Sequence, residues 1–72
     1  MKLYIARDKD NSLSLCTHKP IYDEFLDSWE EPKEYYDDDY SFHIYIPENL
    51  FPEVTFENSP MIVELKLVQN DK

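Results

Sequence analysis

Apolar and polar positions alternate at both ends of this chain and lose that rhythm in the middle. From Lys2 to Arg7, Leu3 and Ile5 fall on one side, Tyr4 and Ala6 on the other. From Ser12 to Thr17, Leu13 and Leu15 alternate with Ser12, Ser14 and Cys16. A period of two is the mark of a half-buried strand. The polar cluster Asp8-Lys9-Asp10-Asn11 between the two runs suits a turn. Asn and Asp tolerate left-handed backbone angles and bond their own main chain, standing in for glycine, which this sequence lacks. The two runs predict a β-hairpin.

Alternation returns over Ser41–Ile46, where Phe42, Ile44 and Ile46 oppose His43 and Tyr45, and over Met61–Val68, where Val63, Leu65 and Leu67 oppose Glu64 and Lys66. Between these strands, Pro47 and Pro52 bracket a turn expected to hang Leu50 and Phe51 over the sheet. Pro52 should hold Phe51 at extended angles. Val54–Phe56 reads as a short extended piece, Glu57–Pro60 as a turn, and 69–72 as a fraying end.

The middle has a different period. Tyr22, Phe25, Leu26 and Trp29 fall at i, i+3, i+4 and i+7, which predicts a helix over Pro20–Glu31. Pro20 suits its first turn, Asp23 and Glu24 favour the positive end of its dipole, and Pro32 ends it. The competing reading is a strand from Glu24 to Trp29, with poor alternation. The inward residues of the four strands form one apolar face, which requires a cover. The expected fold is therefore α+β, mainly β: one domain over 1–72, an antiparallel sheet of about four to five strands, covered on one face by a short helix or turn. The apolar side chains of residues 22–29 should do the covering, each buried Trp or Phe giving about 1.5–3 kcal/mol.

Charge changes the picture of that middle segment. Residues 23–39 carry nine carboxylates against one lysine, Lys33, close to the whole formal charge of −9. The like charges of Asp37, Asp38 and Asp39 predict a mobile acidic loop around 33–40. Sixteen acidic against seven basic residues argue against direct nucleic-acid binding and against anionic membranes, because phosphate affinity comes from Lys and Arg. They suit a basic protein surface. A single cysteine leaves no intramolecular disulfide, and no apolar run reaches signal-peptide or membrane-spanning length, so the expected address is the cytoplasm. Without glycine, no recognisable phosphate-cradling loop can form.

Candidate chemistry is sparse. Asp8-Lys9-Asp10-Asn11-Ser12 resembles the start of a calcium loop, but Leu13 and Lys19 occupy the places of the glycine and the acidic twelfth ligand. Cys16 and His18, two apart, lack further zinc ligands apart from His43 and carboxylates. Cys16 with His43 as base has no supporting local motif. The paired carboxylates look uniformly solvated, whereas acid–base work needs environments that split the two pKa values. No cofactor, no metal and no enzymatic activity are expected.

The acidic–aromatic constellation points instead to a non-catalytic module that docks on a basic partner, since Tyr and Trp are enriched at binding hot spots. The expected contacts are Trp29, Tyr35, Tyr36, Asp37, Asp38 and Asp39, with His43 and Tyr45 on the open sheet face as a second patch. The alternative is a DNA mimic that inhibits a nucleic-acid-binding defence or regulatory protein. Its row of carboxylates would imitate the charge of a duplex, about one per 1.7 Å.

Two blocks carry a resemblance. Tyr4-Ile5-Ala6-Arg7-Asp8-Lys9-Asp10 with Lys19-Pro20, and Leu50-Phe51-Pro52-Glu53-Val54-Thr55-Phe56-Glu57-Asn58-Ser59-Pro60 with Val63-Glu64-Leu65, are similar to a group of short proteins of gut-bacterial genomes and their phages or mobile elements. The likeness covers both ends. The middle departs from it, being longer and more acidic here. No activity is attached to the group, so the resemblance implies a bacterial or mobile-element setting and no chemistry.

Overall fold

The computed structural model describes residues 1–69; of the expected fraying end, residues 70–72 lie outside the described residues. Four strands form the antiparallel sheet: β1 (Lys2–Arg7), β2 (Leu13–Cys16), β5 (His43–Ile46) and β6 (Met61–Glu64), in the order β5-β2-β1-β6. The predicted hairpin is present, with Ile5 opposite Leu15 and Arg7 opposite Leu13. Its turn uses the predicted chemistry. Asn11 takes a φ of 81°, and the Asp10 carboxylate accepts the Ser12 amide at 2.9 Å.

The central segment is not a helix. It forms a second hairpin, β3 (Ile21–Asp23) with β4 (Ser28–Glu30), and the one helical turn among the described residues is 3₁₀, over Lys33–Tyr35. The reason lies in the acidic residues themselves. The Asp23 carboxylate accepts the amides of Phe25 (2.8 Å) and Leu26 (3.2 Å), and Asp27 adopts a left-handed φ of 56°. Such local bonds offer the backbone an alternative to helix. The i, i+7 pair Tyr22 and Trp29 become cross-strand partners, while Phe25 and Leu26 stand exposed at the turn and cover nothing.

Strand register sorts the sheet into two unlike faces. Leu3, Ile5, Arg7, Leu13, Leu15, Ile44, Ile46 and Val63 share one face; Tyr4, Ala6, Ser14, Cys16, His43 and Tyr45 share the other. Val54 closes the apolar face, packing on Ile5 and Leu13, with Leu15, Ile46 and Val63 around it. Leu50 and Phe51, expected as the cover, remain 43% and 41% exposed. The acidic segment lies on the opposite face. There Ala6, Ser14 and Cys16 are buried, because side chains this small let a second layer approach the sheet closely. The sheet is thus covered on both faces, not one.

Arg7 holds the apolar-face cover in place. Its guanidinium is buried and donates to five backbone carbonyls: Val54 (2.6 Å), Asn11 (2.9 Å), and Glu48, Leu50 and Phe51 (3.1 Å each). This explains the backbone at Phe51, whose φ is 50° and not extended. The Phe51 carbonyl accepts from both Arg7 and the Val54 amide (2.9 Å), and the left-handed turn aims it there.

Two strands are shorter than expected, each because its partner runs out. β5 starts at His43, since β2 ends at Cys16 and the Thr17 hydroxyl takes the Phe42 amide (2.9 Å). β6 ends at Glu64, opposite Lys2 at the start of β1; the Leu65 amide bonds to Met1, and Leu65 and Leu67 are exposed, not inward. Val54–Phe56 belongs to no strand, and the turn expected at Glu57–Pro60 is present over residues 56–58.

Candidate functional site

The acidic layer is pinned at two places. At the first, the Trp29 amide donates to the Asp8 carboxylate (3.0 Å) and the indole Nε1–H donates to the Arg7 carbonyl (3.1 Å). The half-buried Trp29 ring meets Tyr22 edge-on at 5.4 Å and Phe56 at 6.1 Å. Lys9 lies over the Tyr22 and Phe56 rings, at 5.4 and 5.2 Å. Trp29 is therefore an anchor within the fold.

At the second, His18 stacks on Tyr35 with ring centroids 3.7 Å apart and planes within 2°. The imidazole stands between two carboxylates, 3.8 Å from Glu31 and 3.6 Å from Asp38. Tyr35 is half-buried there. Residues 32–41 fold as consecutive turns, with bonds from Tyr35 to Pro32, Tyr36 to Lys33, Asp38 to Tyr35 and Ser41 to Asp38, each 3.0–3.1 Å. Asp37, Asp38 and Asp39 project from these turns and are exposed, as are Tyr36 and Tyr40.

His43 and Tyr45 come together on the acidic-layer side of the sheet, ring centroids 5.9 Å apart. The acidic layer covers part of that face. With Tyr36, Glu30 and Glu31 they line a solvent-open cleft of about 300 Å³. Of the eight predicted contacts, the structure gathers Tyr36, His43 and Tyr45 here, leaves Asp37–Asp39 on the turns, and holds Trp29 and Tyr35 half-buried at the two pins. Sequence reasoning missed Glu30 and Glu31 as cleft walls, and it missed the exposed hairpin tip of Phe25 and Leu26 between Asp23 and Asp27. The signal available for the tip was the pair of aspartates that shape the turn.

Cys16 stands directly across from His43 in the β2–β5 register. Burial pushes its thiol up to about 11, the opposite of what a nucleophilic thiolate requires. Asp8 and Asp10 spend their side chains on the Trp29 and Ser12 amides, within a hairpin turn. Among the described residues, no three His, Cys, Asp or Glu side chains group closely enough to hold a metal ion. No helix among them is long and apolar enough to cross a membrane.

Asp8 carries a testable charge. Burial raises its carboxyl from the ordinary 3.8, and the Trp29 amide only partly opposes this. A raised folded-state value means that the cost of the buried carboxylate is absent below pH 3.8 and appears as pH rises through the folded value. Asp8→Asn keeps an acceptor for Trp29 and removes the charge. In thermal melts it should match or exceed the native protein at pH 7, with the difference closing below pH 3.8. Asp8→Ala should instead lose about 1–3 kcal/mol, from an unpaired amide.

No family model, no curated protein and no solved structure matches this chain.

Proposed function

We propose that this chain is a non-catalytic, acidic binding module that docks on a basic protein surface in the bacterial cytoplasm. One observation carries the reading: the acidic segment is tied to the sheet as a layer, yet its charge is left largely uncompensated. Among the described residues, Lys9–Asp27 is the one Lys or Arg ion pair with a carboxylate, 3.7 Å long and exposed. Carboxylates held in place without counter-charges create a field that steers a positive partner and repels negative ones. The exposed Phe25, Leu26, Tyr36 and Tyr40 add apolar contact area to that surface.

The test is affinity capture from bacterial lysate with the native protein and with Asp37, Asp38 and Asp39 all changed to Asn, at graded salt, read by mass spectrometry. The reading expects basic proteins on the native form only, released steeply as salt rises. Recovery of the same proteins on both forms would defeat it. Adding duplex DNA as competitor identifies mimicry: release of a DNA-handling partner by the duplex would mean that the carboxylates occupy a nucleic-acid cleft.

A further inference from the structure

Beyond general attraction, the cleft bounded by Glu30, Glu31, Tyr36, His43 and Tyr45 has the composition of a receptor for one particular cation. We propose that it receives a single arginine side chain of the partner; this rests on the docking reading above and names its anchor. At about 300 Å³ the cleft sits at the bottom of the size range of small-molecule pockets, which suits a side chain better than a cofactor.

Its walls are of two kinds. Tyr36 and Tyr45 are 60% and 63% exposed, so their rings are open to a guest. A guanidinium is planar, weakly hydrated and stacks on aromatic faces. Glu30 and Glu31 supply negative charge from adjacent positions, and Glu30 accepts a hydrogen bond from Ser28 Oγ.

The cleft residues also carry unused hydrogen-bonding capacity. Glu31 Oε1 and His43 Nε2 are both shielded from solvent and neither has a hydrogen-bond partner, although Glu31 Oε1 lies 3.8 Å from His18 Nδ1. Buried polar atoms are nearly always paired, so a guest whose entry shifts these side chains gains two acceptors that the fold leaves unused. A carboxylate accepts from a cation, and with its proton on Nδ1 the His43 ring accepts at Nε2 as well. The fork of guanidinium N–H groups can serve several acceptors at once, which the compact ammonium of lysine does less well. An anion is disfavoured by the two carboxylates, and a metal ion by the lack of three grouped ligands among the described residues.

The experiment is an NMR titration of the whole protein with N-acetyl-arginine amide at constant ionic strength. N-acetyl-citrulline amide serves as the uncharged isostere and N-acetyl-lysine amide as the point charge. Arginine should give saturable shifts centred on Glu30, Glu31, Tyr36, His43 and Tyr45; citrulline should give none, and lysine should bind more weakly. Tyr36→Ala, at an exposed position, and Glu31→Gln should each weaken arginine binding roughly tenfold, the loss of one contact to a charged group. The Asp37–Asp39 to Asn variant should keep it. Equal arginine and lysine shifts centred on Asp37–Asp39 would overturn the cleft while leaving docking on a basic surface intact. Absence of arginine shifts would overturn the cleft too, and the capture experiment then judges docking separately.

Discussion

Changing Arg7 to Met should leave the chain unfolded at room temperature, and changing it to Lys should lower stability by about 3 kcal/mol. Both expectations follow from the guanidinium's position. It sits buried at the end of β1 and is hydrogen-bonded to carbonyls of residues 11, 48, 50, 51 and 54. These acceptors belong to the turn that follows β1 and to the irregular stretch that carries Val54 onto the core. That stretch contains no strand or helix, so Arg7 replaces the ladder bonds it lacks. Hydrogen bonds to a charged group contribute about 1.5–3 kcal/mol each, though not additively within one network.

A methionine takes the guanidinium donor from all of those carbonyls, leaving Phe51 its bond from the Val54 amide, in a domain small enough to hold only a thin margin. A lysine keeps the charge but offers a compact head with three donors in place of a planar fork. For a domain of this size each kcal/mol moves Tm by roughly 4–8 °C, so circular dichroism melts read the Lys variant directly. A Tm within a few degrees of native for either variant would show that the 47–60 segment is held without the guanidinium.

The second large effect is expected at Trp29. Trp29→Ala should cost about 3 kcal/mol, the low end for removal of a buried aromatic, since Trp29 is not fully buried. It removes the indole bond to the Arg7 carbonyl and the ring contacts to Tyr22 and Phe56. The four-stranded sheet should survive, while the β3–β4 hairpin loosens. Phe25→Ser is the matched contrast: Phe25 lies in the same hairpin but is fully exposed, so the change should stay within about 0.5 kcal/mol. A helix covering the sheet would have given both residues similar weight. Equal losses for the two variants would therefore refute the hairpin arrangement.

Those two residues also mark where the fold was legible in the sequence. The β1–β2 hairpin could be read because alternation and turn chemistry agreed, with Asn11 and Asp10 doing the work usually left to glycine. β5 and β6 could be read from parity, though their ends depended on where β2 and β1 stopped, which is a property of the partner strand. The central segment could not be read from spacing. Tyr22 and Trp29 are seven apart, a distance that serves two helical turns and the two arms of this hairpin equally well. Only the local bonding of Asp23 and Asp27 separates the two outcomes.

The placement of the acidic layer was hidden for a different reason. Ala6, Ser14 and Cys16 look solvent-facing in an alternating pattern, yet their smallness is what admits a second layer. Arg7 gave no local sign of its role, because its acceptors lie more than forty residues away in sequence, apart from Asn11. Of the candidate contacts, the exposed aspartates were legible from charge alone. The cleft was not, because it joins Glu30 and Glu31 to side chains of a strand that begins at His43.

Hydrogen exchange at the Trp29 indole asks whether the anionic hairpin really rests on the small-residue face of the sheet. If it does, that proton, donated to the Arg7 carbonyl, should exchange far more slowly than the Phe25 amide at the hairpin tip. Equal rates at the two positions, with β1 and β2 still protected, would contradict the account.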